Sequence, residues 1–255
     1  LNKFNKNEIT NIISQIKNIN ETASIMEYSE FERILSAKRM QRYKKAANGD
    51  TRKAMALYRY NLRLSQEMFT IVSCFEVALR NAIDRLLVLT LGENWLKEAV
   101  QANGIFSNGR MNETKKIIEK AYNRLDRQGI YSHSKLIAEM EFGVWKYMYS
   151  SLQYRATGQC LLRAFPNKPR SSAAIQYNNT YIFNELDKVN SLRNRIAHHE
   201  PVCFRLHLPE IDTSYIVNEY QKIQTLFSWM GIDSRSMLYG LDHVQTVCSK
   251  INALK

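Results

Sequence analysis

Glycine and proline are scarce: the chain has 9 and 4 of them in 255 residues. β sandwiches and barrels use both freely in their turns, and disordered or collagen-like chains are richer still, so none of these classes suits the composition. Long uncharged apolar runs are missing too. The most apolar stretch, 68–91, carries Glu76, Arg80, Asp84 and Arg85. Each would cost about 2.5–3.5 kcal/mol at a bilayer centre, so no membrane span is expected. Cysteine is limited to Cys74, Cys160, Cys203 and Cys248, far apart and without a C-x-x-C pair. That pattern speaks against a disulfide framework and for a reducing cytoplasm. The opening LNKFNKNEIT lacks the apolar core of a signal peptide. There is no G-x-x-x-x-G-K-[ST], no G-x-G-x-x-G and no G-x-S-x-G, which leaves nucleotide-dependent phosphoryl transfer and serine hydrolysis without support. Cys203-x-x-x-His207 has a metal-like spacing but no second pair, and neither a metal nor another cofactor is expected.

Acid is in deficit. Against 24 acidic residues stand 36 basic ones, a formal charge of +12. Such a field attracts polyanions, although a basic protein with no such partner has the same balance. The excess is concentrated. From Arg33 to Arg63 there are ten basic residues, among them Arg39, Arg42, Lys44, Lys45, Arg52 and Lys53, and Asp50 is the only acid between them. A solvated helical face would normally mix in acids. This run can instead follow a phosphate backbone, with Tyr43, Tyr58 and Tyr60 placed to stack on bases.

What remains reads with a helical period nearly throughout. Helices are predicted over 8–19 and over about 30–47, the latter opened by a capping box of Ser29 and Glu32. After Asn48-Gly49-Asp50, a helix capped by Asp50 or Thr51 extends to about 91, either continuous or bent or broken near its middle. Met68, Ile71, Val72, Phe75, Leu79, Ala82, Ile83 and Leu86 form its apolar face. Gly92 to Met111 reads as a loop in which Trp95 packs, followed by a helix over 112–128. A helical region from Ser134 to about Phe165, bent or interrupted near Gly143, precedes a linker marked by Pro166, Pro169 and Arg170. Helices over 178–200, 211–230 and 234–252 complete the chain. The expectation is an all-α bundle forming one domain over 1–255.

The densest polar cluster is Leu192-Arg193-Asn194-Arg195-Ile196-Ala197-His198-His199-Glu200-Pro201. At 100° per residue, Ile182, Leu186, Val189 and Ile196 fall in one apolar stripe, and Arg193 lands inside it. A guanidinium is almost never fully buried unless paired. Arg193 therefore either meets an internal carboxylate or faces a polar opening. Asn194 and His198, four apart, share a face, whereas Arg193 and His198 lie about 140° apart on an ideal helix. A histidine at a helix C-terminus beside a basic turn has a purely structural reading in the macrodipole. The functional reading is that His198 moves protons near neutral pH and Arg193 holds a phosphate. Upstream, Glu76 and Arg80 are an ordinary helical ion pair by spacing. Alternatively, one of them orients Arg193 across the bundle.

Arg193-Asn194-x-x-x-His198 resembles the R-x4-H signature of HEPN domains. Its flanks, together with Tyr58-x-x-Asn61, Glu76-x-x-Leu79-Arg80-Asn81 and Phe142-Gly143-Val144-Trp145, resemble the Abi-like (abortive infection) family of HEPN proteins over about 30–230. The resemblance implies a HEPN-like helical bundle with additional helices and, in active members, metal-independent RNA cleavage. Carried over, His198 is the general acid/base, Arg193 binds the phosphate and stabilises the transition state, and Asn194 positions substrate or imidazole. Glu76, Arg80, Asn81 and His199 support them. HEPN nucleases typically place two R-x4-H motifs face to face, and this chain has one, so a homodimer with a composite site is expected. A cytoplasmic toxin or phage-defence effector, held by a protein or small-RNA antitoxin, is the implied setting. In one related group of toxins the motif continues as R-x4-H-x-Tyr, but Glu200 stands there in this chain. The alternatives are a non-catalytic HEPN-like RNA-binding module and a plain helical interaction protein.

Overall fold

The computed structural model describes residues 26–107 and 109–255, so the helix expected over 8–19 lies outside the described residues. The described residues are all-α: twelve helices and two short 3-10 turns, with no strand and one isolated antiparallel bridge between Phe204 and Ile211. None of these helices is long and apolar enough to cross a membrane. The backbone separates into two compact units, 1–58 and 59–255.

The described part of the first unit begins with α1 (Tyr28–Leu35) and α2 (Ala37–Ala46). One helix was expected here. Ser36 breaks it, with φ at 77° and its hydroxyl accepting the Arg39 amide as an N-cap. The expected capping box is absent as such: Glu27 holds the N-cap position and Ser29 lies inside α1. Phe31, Tyr43 and Tyr58 then pack edge to face, with Tyr58 5.5 Å from Phe31 and 5.0 Å from Tyr43. Such pairs contribute about 0.5–1.5 kcal/mol beyond their buried area.

The unit boundary falls within α3 (Thr51–Leu91), which matches its predicted span. Asp50 caps it, accepting the Lys53 amide at 3.0 Å. At 41 residues α3 is about 60 Å long. In the second unit its inner face buries Leu64, Met68, Ile71, Val72, Phe75, Leu79, Ala82, Ile83 and Leu87. Then come α4 (Trp95–Glu98), α5 (Asn112–Arg127) and α6 (His133–Glu139), which pack on one another. Asp84 holds two of these elements to α3, accepting the Trp95 indole N–H at 2.8 Å and meeting His133 Nε2 at 2.8 Å.

The helical region expected over 134–165, bent or interrupted near Gly143, is α6, α7 (Phe142–Tyr147), α8 (Ser151–Ala156) and a 3-10 turn, Leu161–Ala164. The interruption falls just before Gly143, which itself lies inside α7. The chain turns extended at Met140 and Glu141, and again at Ser150. These breaks turn α7 so that it packs on α9 (Asn179–Ala197). Lys146, itself buried, joins them by donating to Asp187 Oδ1 at 2.8 Å. Next, α10 (Ser214–Trp229) packs on α9, α11 (Ser234–Met237) and α12 (Val244–Asn252). A single helix was expected over 234–252, but Gly240, at φ 75°, lies in the turn that splits it.

The core of the second unit gathers where α3, α7 and α10 meet. Phe75 is fully buried, 5.2 Å edge-on from Phe227 and 6.3 Å from Phe142. Truncating such a ring removes its transfer energy and leaves a cavity. Phe75→Ala is therefore expected to cost about 3–5 kcal/mol in urea unfolding. A loss below about 1 kcal/mol would contradict this placement of the core.

Candidate active site

The apolar stripe on α9 is real: Ile182, Leu186, Val189, Leu192 and Ile196 are all buried. Arg193, next in that stripe, is only half-buried. It meets the field of Glu76 on α3, where Arg80 and Glu141 also act. Burial pushes the Glu76 carboxyl above its ordinary value, and Glu141 adds to that push. The guanidiniums of Arg193 and then Arg80 pull it back, as does the Phe142 amide at the start of α7. Two cations and two carboxylates thus share the space between α3, α7 and α9. Arg80 Nε is buried there without a hydrogen-bond partner. The i, i+4 spacing of Glu76 and Arg80 is part of this cluster rather than an isolated surface pair. Asn81 is exposed.

The other half of the motif lies at the end of α9. His198 is the C-cap, and its amide donates to Asn194 O at 2.9 Å. His199 follows in the left-handed region, at φ 55°. Its amide donates to Ile196 O at 3.0 Å, and the Glu200 amide to Arg195 O at 2.9 Å. This is the Schellman closure, usually made with glycine at the left-handed position. The imidazoles of His198 and His199 are exposed, as is Asn194, whose Oδ1 lies 3.5 Å from Arg193 Nη1. Arg193 is thus half-buried in the stripe of α9, while His198 is exposed at its end.

The turn after His198 is fixed from three sides. Arg195 reaches Glu200 at 3.3 Å and Pro201 O at 3.0 Å, and stacks 4.8 Å over the Tyr215 ring. Buried Asn61, on α3, accepts the Val202 amide at 2.8 Å. The sequence pattern singled out Asn61 and Phe142 without giving them a task. Asn61 holds the backbone just beyond the motif, and the Phe142 amide favours the Glu76 anion. Glu141 and Tyr215 carried no sequence signal.

The basic run divides differently. Arg39, Lys44, Lys45 and Arg52 are exposed, and Arg42 and Lys53 half-buried, on α2 and the first turn of α3. Tyr43 and Tyr58 are buried in the aromatic cluster of the first unit, which removes them as stacking platforms. Tyr60 remains half-exposed.

An all-helical chain with an exposed arginine–histidine motif held against a carboxylate cluster invites comparison with helical families that share it. A family model of Abi-like proteins matches residues 17–203, well over half the chain and inclusive of Glu76, Arg80, Arg193, Asn194 and His198. The chain belongs to the Abi-like protein family. Neither a curated protein nor a solved structure matches it.

The charge cluster yields a direct test. Because the native value of Glu76 is raised, its carboxyl contributes stability that is fully present below the unfolded carboxylate range. That contribution is lost as pH rises through the native value. The stability of Glu76→Gln relative to wild type should thus improve from acid to neutral pH. In Arg193→Met, carboxyl NMR titration should find Glu76 raised further, since a favourable cation has gone. An unchanged or lowered Glu76 would show that Arg193 does not face it.

Proposed function

We propose that the chain is a metal-independent endoribonuclease of the HEPN type, acting as a cytoplasmic toxin or phage-defence effector in abortive infection. What supports this reading is the R-x4-H spacing on α9, with His198 exposed at the helix end and Arg193 half-buried in the field of the Glu76 carboxylate. In the reaction, a ribose 2′-OH attacks the adjacent phosphorus while the bond to the 5′-oxygen breaks. His198 takes the 2′-OH proton or supplies one to the departing oxygen. Arg193 balances the charge that grows on the phosphoryl oxygens. Asn194 positions the substrate or the imidazole. The products are a 2′,3′-cyclic phosphate and a 5′-OH. Family membership supports the biological setting.

One copy supplies one motif, and Arg193 and His198, five residues apart, sit about 140° apart on an ideal helix. A homodimer, in which each phosphate meets His198 of one subunit and Arg193 of the other, resolves both points. Arg39, Arg42, Lys44, Lys45, Arg52 and Lys53 then give the RNA strand a phosphate-binding surface on the first unit. Glu200 lies two residues after His198 and pairs with Arg195, so control by modification of a tyrosine there is not part of this proposal. A protein or small-RNA antitoxin would hold the activity in check.

Cleavage of single-stranded RNA in EDTA is expected for the wild type. His198→Ala should lower it by at least about 100-fold while leaving RNA affinity largely intact. Arg193→Ala should reduce it by a similar factor. Binding without turnover would favour the non-catalytic module instead, and cleavage surviving His198→Ala would remove this histidine from the mechanism. Sedimentation at micromolar concentration should give a dimer, and a strict monomer would refute the composite site.

A further inference from the structure

A groove of about 770 Å³ runs between α5 and the chain from Glu139 to Tyr147. This is the size of a small-ligand site. Its apolar lining includes buried Met111, Met140 and Val144. Ile117 and Tyr147 also line it, each with close to half its surface open. At the base, Gln153 donates to Thr114 at 2.9 Å, and both are buried. The rim is basic: Arg110, Lys120, Arg124 and Arg127 against Glu113, Glu139 and Glu141. Arg124 is bonded to Glu139, and Lys116 takes Glu113 at 3.2 Å. Lys120 and Arg127 are exposed on α5.

The groove also borders the candidate active site. Glu141 and Gly143 line it, while Glu141 and the Phe142 amide act on Glu76, the residue that faces Arg193. One short segment thus has the groove beside it and the charge cluster behind it. An aromatic ring, apolar walls and an excess of rim cations suit a flat base carrying a phosphate. They suit an acidic or strongly polar peptide poorly, because its polar groups would lose water against Ile117, Met140 and Val144, which offer no hydrogen bond in return.

We propose that this groove is a nucleotide subsite, which holds a nucleotide of the RNA strand flanking the scissile phosphate, with its base against Tyr147 and its phosphate at Lys120 and Arg127. The assignment rests on the endoribonuclease reading and adds to it a specificity site outside the R-x4-H motif. Neither Lys120 nor Arg127 lies in the basic run of the first unit, so the strand has a second contact surface.

The test uses the full chain, a labelled single-stranded RNA and two readouts: steady-state cleavage by otherwise wild-type protein, and equilibrium binding by His198→Ala. Lys120→Glu and Arg127→Glu are surface changes, and Lys250→Glu, at an exposed position on α12, controls for the same loss of net charge. Each groove reversal should raise KM with kcat nearly unchanged. Each should also flatten the log–log salt dependence of binding by about one unit, beyond what Lys250→Glu does. Tyr147→Ala should weaken binding by about fivefold or more. If RNA is cut but all three groove variants match the Lys250→Glu control or wild type, the subsite is overturned and the nuclease stands. If the wild type neither binds nor cuts RNA, both fall together.

Discussion

A guanidinium on the apolar stripe of a core helix is costly to desolvate, and it persists there only if something carries opposite charge nearby. Arg193 meets that condition through Glu76. The consequences spread through the second unit. Glu76 must be presented by α3 at the level of Arg193, beside the Phe75 ring that packs on Phe142 and Phe227. The start of α7 must arrive with its Phe142 amide directed at the same carboxylate. Lys146 then holds α7 to α9 through Asp187. A buried aromatic contact and a charge contact, one residue apart on α3, therefore fix where the motif's arginine sits.

The histidine end is held by different means. It sits where α9 stops, so its position depends on how that stop is made. His199 adopts a left-handed conformation that L-residues rarely take. Arg195, Tyr215 and Asn61 fasten the turn that follows. Rigid support of a solvent-facing imidazole is useful for proton transfer, because the reacting geometry then requires no reordering of the backbone.

Much of the architecture was legible in the sequence because it follows from periodicity and from what was missing. Both ends of α3 were readable, since no glycine or proline interrupts it and Asp50 caps it; that it runs unbroken through its middle was not. From its place in the stripe Arg193 was expected beside either an internal carboxylate or a polar opening, and Glu76 on α3 feels its field. The breaks were harder. Ser36 gives no hint that it will take a positive φ, and α6 to α8 turn at Met140–Glu141 and Ser150, where no strong breaker stands. Tyr43 and Tyr58 were misplaced because a tyrosine in a basic run looks the same whether its ring stacks outward or packs inward. Asn61 and Val202 are 141 positions apart, beyond the reach of any local rule.

The central claim is that this family member uses the ribose 2′-OH as its nucleophile, with His198 and Arg193 serving it. The most direct measurement is cleavage of an RNA carrying one 2′-deoxynucleotide at a mapped cut site, with end analysis of the products. The account predicts that the all-RNA strand yields a 2′,3′-cyclic phosphate and a 5′-OH, and that the single deoxy substitution abolishes that cut. Cutting undiminished at the deoxy position, or a 5′-phosphate product, would contradict it.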